Sequence, residues 1–266
     1  MRTTAILNLK GGVGKTATTV NMAAILATDY HKSVLVVDAD SQANTTEFFG
    51  GKHDGWNGLS EMLRGEAKSK RWDKTDYDDD NDICLCAADD SLMDLDLSSV
   101  KSKAVDVFCL KKALDAHLKH CNTPPVIEPF DYVLIDCPPA FNAACAAALI
   151  AADDVIIPIK LDAFSLRGMA NLMRQISNMR QINPRLRLAG LLPTMIYKSD
   201  KISDALEVLR ASKLFVFPGI RKTNKVDDMT FAQRPLIESS PKSAACVDYR
   251  RFVKVYVEQE GGANNG

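Results

Sequence analysis

Two rhythms of apolar residues run along this chain. Short runs in which nearly every position is apolar, many of them β-branched, recur at 3–8, 33–38, 131–136, 155–159 and 186–193. Such continuity predicts strands covered on both faces rather than strands with one wet side. Between these runs, apolar positions at helical spacing predict helices over 16–28, 105–119, 143–152, 165–182 and 202–209, with a closing helix over 244–258. Asn183-Pro184 marks the stop after the fourth of them, because proline disfavours helical geometry in the residue before it. Alternating strands and helices imply βαβ crossovers, hence an α/β fold: a doubly wound, mostly parallel sheet with helices on both faces.

The stretch 50–82 breaks the rhythm. Glycines at 50, 51, 55 and 58 and the run Asp76-Tyr77-Asp78-Asp79-Asp80-Asn81-Asp82 predict an acidic, loop-rich excursion from a single domain spanning 1–260. A calcium-binding EF-hand loop starting at Asp76 would need glycine at its sixth position and glutamate at its twelfth, where this sequence has Asn81 and Ala87. The last residues, 261–266, are Gly-Gly-Ala-Asn-Asn-Gly and are expected to form a disordered tail.

Composition adds little to the fold but narrows the compartment. At 46% apolar and 25% charged, the 266 residues have the balance of an ordinary globular domain. No run approaches the ~18 apolar residues of a membrane-spanning helix, and the first strand begins without a signal-peptide layout, so a cytoplasmic protein is expected. Seven cysteines, an odd number, fit reduced core thiols better than a disulfide framework. The net charge of −1 hides an asymmetry: 73–96 carries a local −9, and 198–254 a local +5.

The chemistry concentrates in Ala5-Ile6-Leu7-Asn8-Leu9-Lys10-Gly11-Gly12-Val13-Gly14-Lys15-Thr16, a strand entering a glycine-rich turn that opens a helix. Gly11, Gly12 and Gly14 allow backbone conformations closed to other residues and bring N–H groups up to phosphate oxygens. The helix start adds unpaired N–H groups and partial positive charge. Lys15 can reach the outer phosphates, and the Thr16 hydroxyl can ligate magnesium, so the segment predicts a nucleoside triphosphate site. Hydrolysis there would need further acids, and two strands end in them: Val37-Asp38-Ala39-Asp40-Ser41-Gln42 and Leu134-Ile135-Asp136-Cys137-Pro138-Pro139.

The general phosphate-loop pattern has glycine five places before Gly14, where this chain has Leu9 followed by Lys10. Lys10-Gly-Gly-Val-Gly-Lys-Thr resembles the deviant Walker A loop of the ParA/MinD family, and the two aspartate strands resemble that family's following motifs, with Ser41 in place of the usual proline. The resemblance implies a slow ATPase using ATP and Mg2+. Lys10, Gly11, Gly12, Val13, Gly14, Lys15, Thr16 and Ala17 would bind nucleotide; Thr16, Asp38 and Asp136 would hold the metal, the acids indirectly. Lys10, Lys15, Asp40 and Asp136 would be the catalytic set, with Lys10 reaching across a homodimer and Asp40 orienting the attacking water. Near the base, Arg221 stands where relatives carry proline, which leaves the residues that read adenine unassigned.

Among members of that family, the small Soj/ParA type without an N-terminal helix-turn-helix domain is the nearest match. It implies nonspecific duplex-DNA binding through basic residues of the late helices and turns, here Lys198, Lys201, Lys222 and Lys225. It also implies a ParB-like centromere-binding partner, a nucleoid-associated location, and partition of a plasmid, chromosome or other mobile element. Two alternatives stay open. A MinD-like positioning ATPase would end in an amphipathic membrane helix, for which Val247, Phe252, Val253, Val255, Tyr256 and Val257 are better explained as core. The other is a slow ATP-timed interaction switch for positioning a protein cargo. The iron–sulfur relatives and the tyrosine kinases lack support: Cys84-Leu85-Cys86 and Cys137 stand without glycine-rich surroundings, and only Tyr249 and Tyr256 lie near the end.

Overall fold

The computed structural model describes residues 1–51, 58–67, 72–75, 83–121 and 128–263. Every continuous apolar run becomes a strand. In chain order the strands are β1 (Arg2–Ile6), β2 (Val34–Asp38), β3 (Asp73–Lys74), β4 (Ile83–Cys86), β5 (Tyr132–Asp136), β6 (Asp154–Lys160) and β7 (Arg187–Thr194). They form one sheet in the order β3-β4-β2-β5-β1-β6-β7, parallel throughout except that β3 runs antiparallel to β4.

The helices are α1 (Lys15–Tyr30), α2 (Asn44–Phe48), α3 (Leu59–Arg64), α4 (Leu97–Lys101), α5 (Cys109–Cys121), α6 (Ala143–Ala151), α7 (Ala163–Met179), α8 (Asp200–Ala211), α9 (Lys225–Ala232), α10 (Leu236–Ser239) and α11 (Ala244–Ala263). Because strand side chains alternate, the central strands each feed two cores. Ile6, Val34, Val36, Leu134 and Ile156 pack with Ile25, Met229, Leu236, Tyr249 and Phe252 on one face. Leu35, Val37, Val133, Ile135 and Ile157 pack with Leu59, Leu110, Leu149, Ile176 and Leu209 on the other. Double coverage is what makes these strands apolar at both parities.

Several expectations shift. The excursion at 50–82 is not all loop: α3 lies within it and buries Leu59 and Leu63, and β3 extends the sheet edge. The acidic run 76–82, and with it the start of the calcium-loop comparison, lies outside the described residues. The helix expected from 105 starts at Cys109, because the Asp106 carboxylate accepts the Phe108 N–H (2.9 Å) and holds a turn there. The closing helix continues to Ala263, past the expected tail boundary at 260, and 264–266 lie outside the described residues. None of the seven cysteines forms a disulfide, and six of them are buried. Among the described residues no helix is long and apolar enough to cross a membrane.

The amino ends of the central strands are fixed by charge. Asp154 is fully buried and accepts from Arg2 Nε (2.9 Å), Arg187 Nε (2.8 Å) and the Tyr256 hydroxyl (3.1 Å), joining β1, β6, β7 and α11. The opposite, carboxyl ends of the strands are left to form the site.

Candidate functional site

The glycine-rich loop occupies the turn from β1 into α1. Gly12 (φ 68°) and Gly14 (φ 88°) adopt left-handed backbone, and Gly14 directly precedes the first residue of the helix, so its N-terminal N–H groups face the hollow of the loop. Lys15 is the first helical residue and is almost wholly buried, its amine 3.5 Å from the Lys10 carbonyl. Two contacts fasten the loop to the sheet. The Thr194 hydroxyl, at the end of β7, donates to the Val13 carbonyl (2.8 Å), and the Asn8 side-chain amide donates to the Pro158 carbonyl in β6 (2.8 Å).

Asp136 stands directly behind. It is the register partner of Ile6 on β1 and of Asp38 on β2, which brings both acids to the loop. Its Oδ2 accepts from the Thr16 hydroxyl (2.6 Å) and the Thr45 hydroxyl (2.7 Å), while its Oδ1 is buried with no hydrogen-bond partner among the described residues. Asp38 accepts from the Thr46 N–H and hydroxyl (both 2.8 Å) and from the Asp40 N–H (3.1 Å). Burial pushes both carboxyl groups above the usual carboxylate range, and for Asp38 the neighbouring Asp136 charge adds to it.

These residues fit a magnesium site of the kind completed by a nucleotide. Thr16 spends its proton on Asp136 and keeps oxygen lone pairs for a cation, and Asp136 retains an unsatisfied buried oxygen for a water of its shell. Among the described residues no group of three His, Cys, Asp or Glu could hold a metal ion.

Asp40 lies at the turn into α2, partly exposed, with Oδ1 accepting the Gln42 N–H (3.1 Å). The turn ends at Ala43, whose φ of 52° is unusual for a residue other than glycine. The Asp40 carboxylate therefore closes the turn ahead of α2, and its second oxygen has no hydrogen-bond partner among the described residues.

Beside the loop, Gly14, Ala17, Thr194, Met195, Ile220, Lys222, Val226 and Tyr249 line a cavity of about 100 Å³. Arg221 also lines it, but its guanidinium is committed to Asp248 (Nε–Oδ2 2.7 Å, Nη2–Oδ1 2.8 Å), tying the turn to α11. The backbone ladder Ile196–Arg221 places Lys222 beside the end of β7. Lys198, Lys201, Lys222 and Lys225 are all exposed: Lys198 between β7 and α8, Lys201 in the first turn of α8, Lys222 in the 220–224 segment, and Lys225 at the start of α9. Lys225 pairs with Asp228 (2.9 Å), a solvent-exposed contact, whereas the other three amines have no partner among the described residues.

The structure places Lys15, Thr16, Asp38, Asp40 and Asp136 around the loop at the carboxyl ends of β1, β2 and β5, with Lys10 in the loop and its amine directed away from it. It adds Thr45, Thr46 and Thr194, for which the sequence carries no local signal, since their partners lie 91, 8 and 181 residues away. It also adds a contact at Lys10, whose amine donates to both oxygens of Asp162 (2.8 and 2.7 Å).

A family profile described as an AAA domain matches residues 1–188. The chromosome partitioning protein ParA of Caulobacter vibrioides is 34% identical over 77% of this chain and 73% of its own length. The chromosome-partitioning ATPase Soj of Thermus thermophilus is 30% identical over 96% of this chain and 94% of its own. Among solved structures, cobyrinic acid a,c-diamide synthase from Mycobacterium smegmatis with bound ADP and magnesium superposes with a TM-score of 0.77 at 29% identity, over 99% of this chain and 96% of that one.

Proposed function

This chain belongs to the ParA/Soj family of P-loop ATPases, and from that premise we propose that it is a DNA-partition ATPase, pairing on ATP and releasing DNA on hydrolysis. The observation that carries the reading is the arrangement at Asp136: a Thr16 hydroxyl on one oxygen, a buried open oxygen on the other, and the glycine loop in front. The names of the relatives from Caulobacter vibrioides and Thermus thermophilus supply the partition role.

In this mechanism the loop N–H groups and Lys15 hold the outer phosphates, and the base enters the cavity between Ala17 and Val226. Thr16, with Asp38 and Asp136 acting through water, would hold a magnesium ion, which would supply positive charge against that developing on the phosphates. The free oxygen of Asp40 orients the attacking water. Lys10 contacts the phosphates of a second copy, so that nucleotide joins two subunits. Lys198, Lys201, Lys222 and Lys225 of both copies then grip duplex DNA through its phosphates, without regard to sequence. A ParB-like centromere-binding protein accelerates hydrolysis, pairing is lost, and DNA is released. The protein is cytoplasmic and nucleoid-associated in this account.

Co-sedimentation with plain duplex DNA and with liposomes, each with ATP or ADP, tests it. ATP-dependent retention on DNA alone is expected. Retention on liposomes instead would move the protein to the membrane-positioning class, and retention on neither would leave an interaction switch.

A further inference from the structure

The Lys10 side chain does not turn into its own loop. Its backbone N–H donates to Asn8 Oδ1 (2.9 Å), Asn8 is pinned to Pro158 of β6, and the Lys10 amine then reaches beyond the end of β6 to Asp162, at the turn into α7. Asp162 is itself fixed by its N–H on the Lys160 carbonyl (2.9 Å). Lys15 is the lysine inside the curl, so the two amines of the loop are sorted: one for the subunit's own phosphates, one held aside.

We propose that Asp162 is the positioning residue for Lys10: it holds the amine on its own subunit and gives it up to the phosphates of a second copy, so that this ion pair sets the threshold for pairing. The inference rests on the reading above, in which Lys10 contacts a partner's nucleotide. Two observations and one charge argument carry it. The pair is bidentate, so the amine has a defined resting place. Both side chains keep contact with solvent, Lys10 at 35% and Asp162 at 29% exposure, so the pair is weak enough to exchange. A triphosphate carries more charge than one carboxylate, so the exchange favours the paired state. Nor do the loops depend on this contact for their placement, because β1 and β6 already pair through Thr4–Asp154 to Ile6–Ile156 and the Asn8–Pro158 bond.

Sedimentation velocity of the whole chain with magnesium and a hydrolysis-resistant ATP analogue tests the assignment. Exposed pairs contribute up to ~1 kcal/mol, and a threefold change per subunit lies within that range. With two such pairs broken per dimer, Asp162→Asn should lower the half-pairing concentration about tenfold. Affinity for a fluorescent ATP analogue, measured at concentrations where the protein is single, should not change. Asp162→Glu should restore the wild-type midpoint, Asp162→Ser should behave like Asp162→Asn, and the gap should narrow in high salt. Pairing by both Asp162→Asn and Asp162→Ser no tighter than wild type, while Lys10→Gln weakens it, would overturn the role of Asp162 and spare the dimer. If Lys10→Gln pairs like wild type, the trans contact fails, and this inference with it.

Discussion

Asp38 and Asp136 are register partners at the carboxyl ends of adjacent parallel strands, which sets two buried carboxyl groups side by side behind the phosphate loop. Burial raises both, and hydrogen bonds from Thr46 to Asp38 and from Thr16 and Thr45 to Asp136 offset only part of it. A carboxyl group whose folded-state affinity for protons exceeds its unfolded value stabilises the fold at low pH. That contribution is lost as pH rises from about 4 toward neutrality. The nucleotide-free protein should therefore resist thermal unfolding better near pH 6 than near pH 8.

Asp38→Asn removes one charge from this pair, keeps an oxygen to accept from the Thr46 N–H and hydroxyl, and gives up the acceptor of the longer Asp40 N–H bond. It should stabilise the nucleotide-free protein at pH 8 by about 1–3 kcal/mol, flatten the pH dependence and depress ATP turnover. Calorimetry across that range checks it; an unchanged pH profile would mean the two acids are not charged together in the free protein.

At Asp40 the expected effect is functional. Its carboxylate caps the Gln42 N–H in a partly exposed turn, an interaction whose removal costs about 0.5–1 kcal/mol. Asp40→Ala should fold and bind ATP, hydrolyse it at least about 100-fold more slowly, as expected on removing a group that positions the nucleophile, and stay on DNA as a pair. Normal turnover by this variant would remove Asp40 from the mechanism.

Lys225→Glu replaces an exposed amine whose one ion-pair partner among the described residues is Asp228, so the fold should tolerate it. Affinity for duplex DNA should fall at least about tenfold at moderate salt, and the slope of log affinity against log salt should become shallower by about one for each DNA phosphate that is no longer neutralised. Nucleotide binding should not change. Filter binding at several salt concentrations separates these outcomes.

What the sequence made legible was local. The loop from Lys10 to Thr16 carries its meaning in glycine spacing between an apolar strand and a helix, and Asp38 and Asp136 each terminate an apolar run. The strands followed because two-sided burial leaves no polar parity. β4 escaped notice because four residues between acidic flanks give too short a run, and α3 because one helical turn and a half carries little periodicity. The rest was chosen by register. Thr45 reaches Asp136 and Lys10 reaches Asp162 only because particular strand ends are neighbours, Arg221 reaches Asp248 only because α11 packs beside the 220–224 segment, and neither arrangement is written in the spacing of apolar residues. Arg221 shows the limit well: its departure from the family pattern was visible, but not that Asp248 would absorb its charge.

Thr194 gives the sharpest test of how the sheet holds the loop. It ends β7, two strands from β1, and is nearly fully buried. Its hydroxyl donates to the carbonyl of Val13, which is wholly buried, and its methyl lies 3.8 Å from where a side chain at Gly14 would begin. Thr194→Val keeps the shape and removes the donor, leaving the Val13 carbonyl without this partner at a cost of about 1–3 kcal/mol. Because the loop can relax locally, part of that cost should appear as a loosened loop rather than as global unfolding. ATP affinity should then drop about 5- to 10-fold with a modest fall in melting temperature, whereas Thr194→Ser, which keeps the hydroxyl, should bind nearly as wild type. Equal affinities for the valine and serine variants would show that the loop holds its phosphate-binding shape from its own glycines alone.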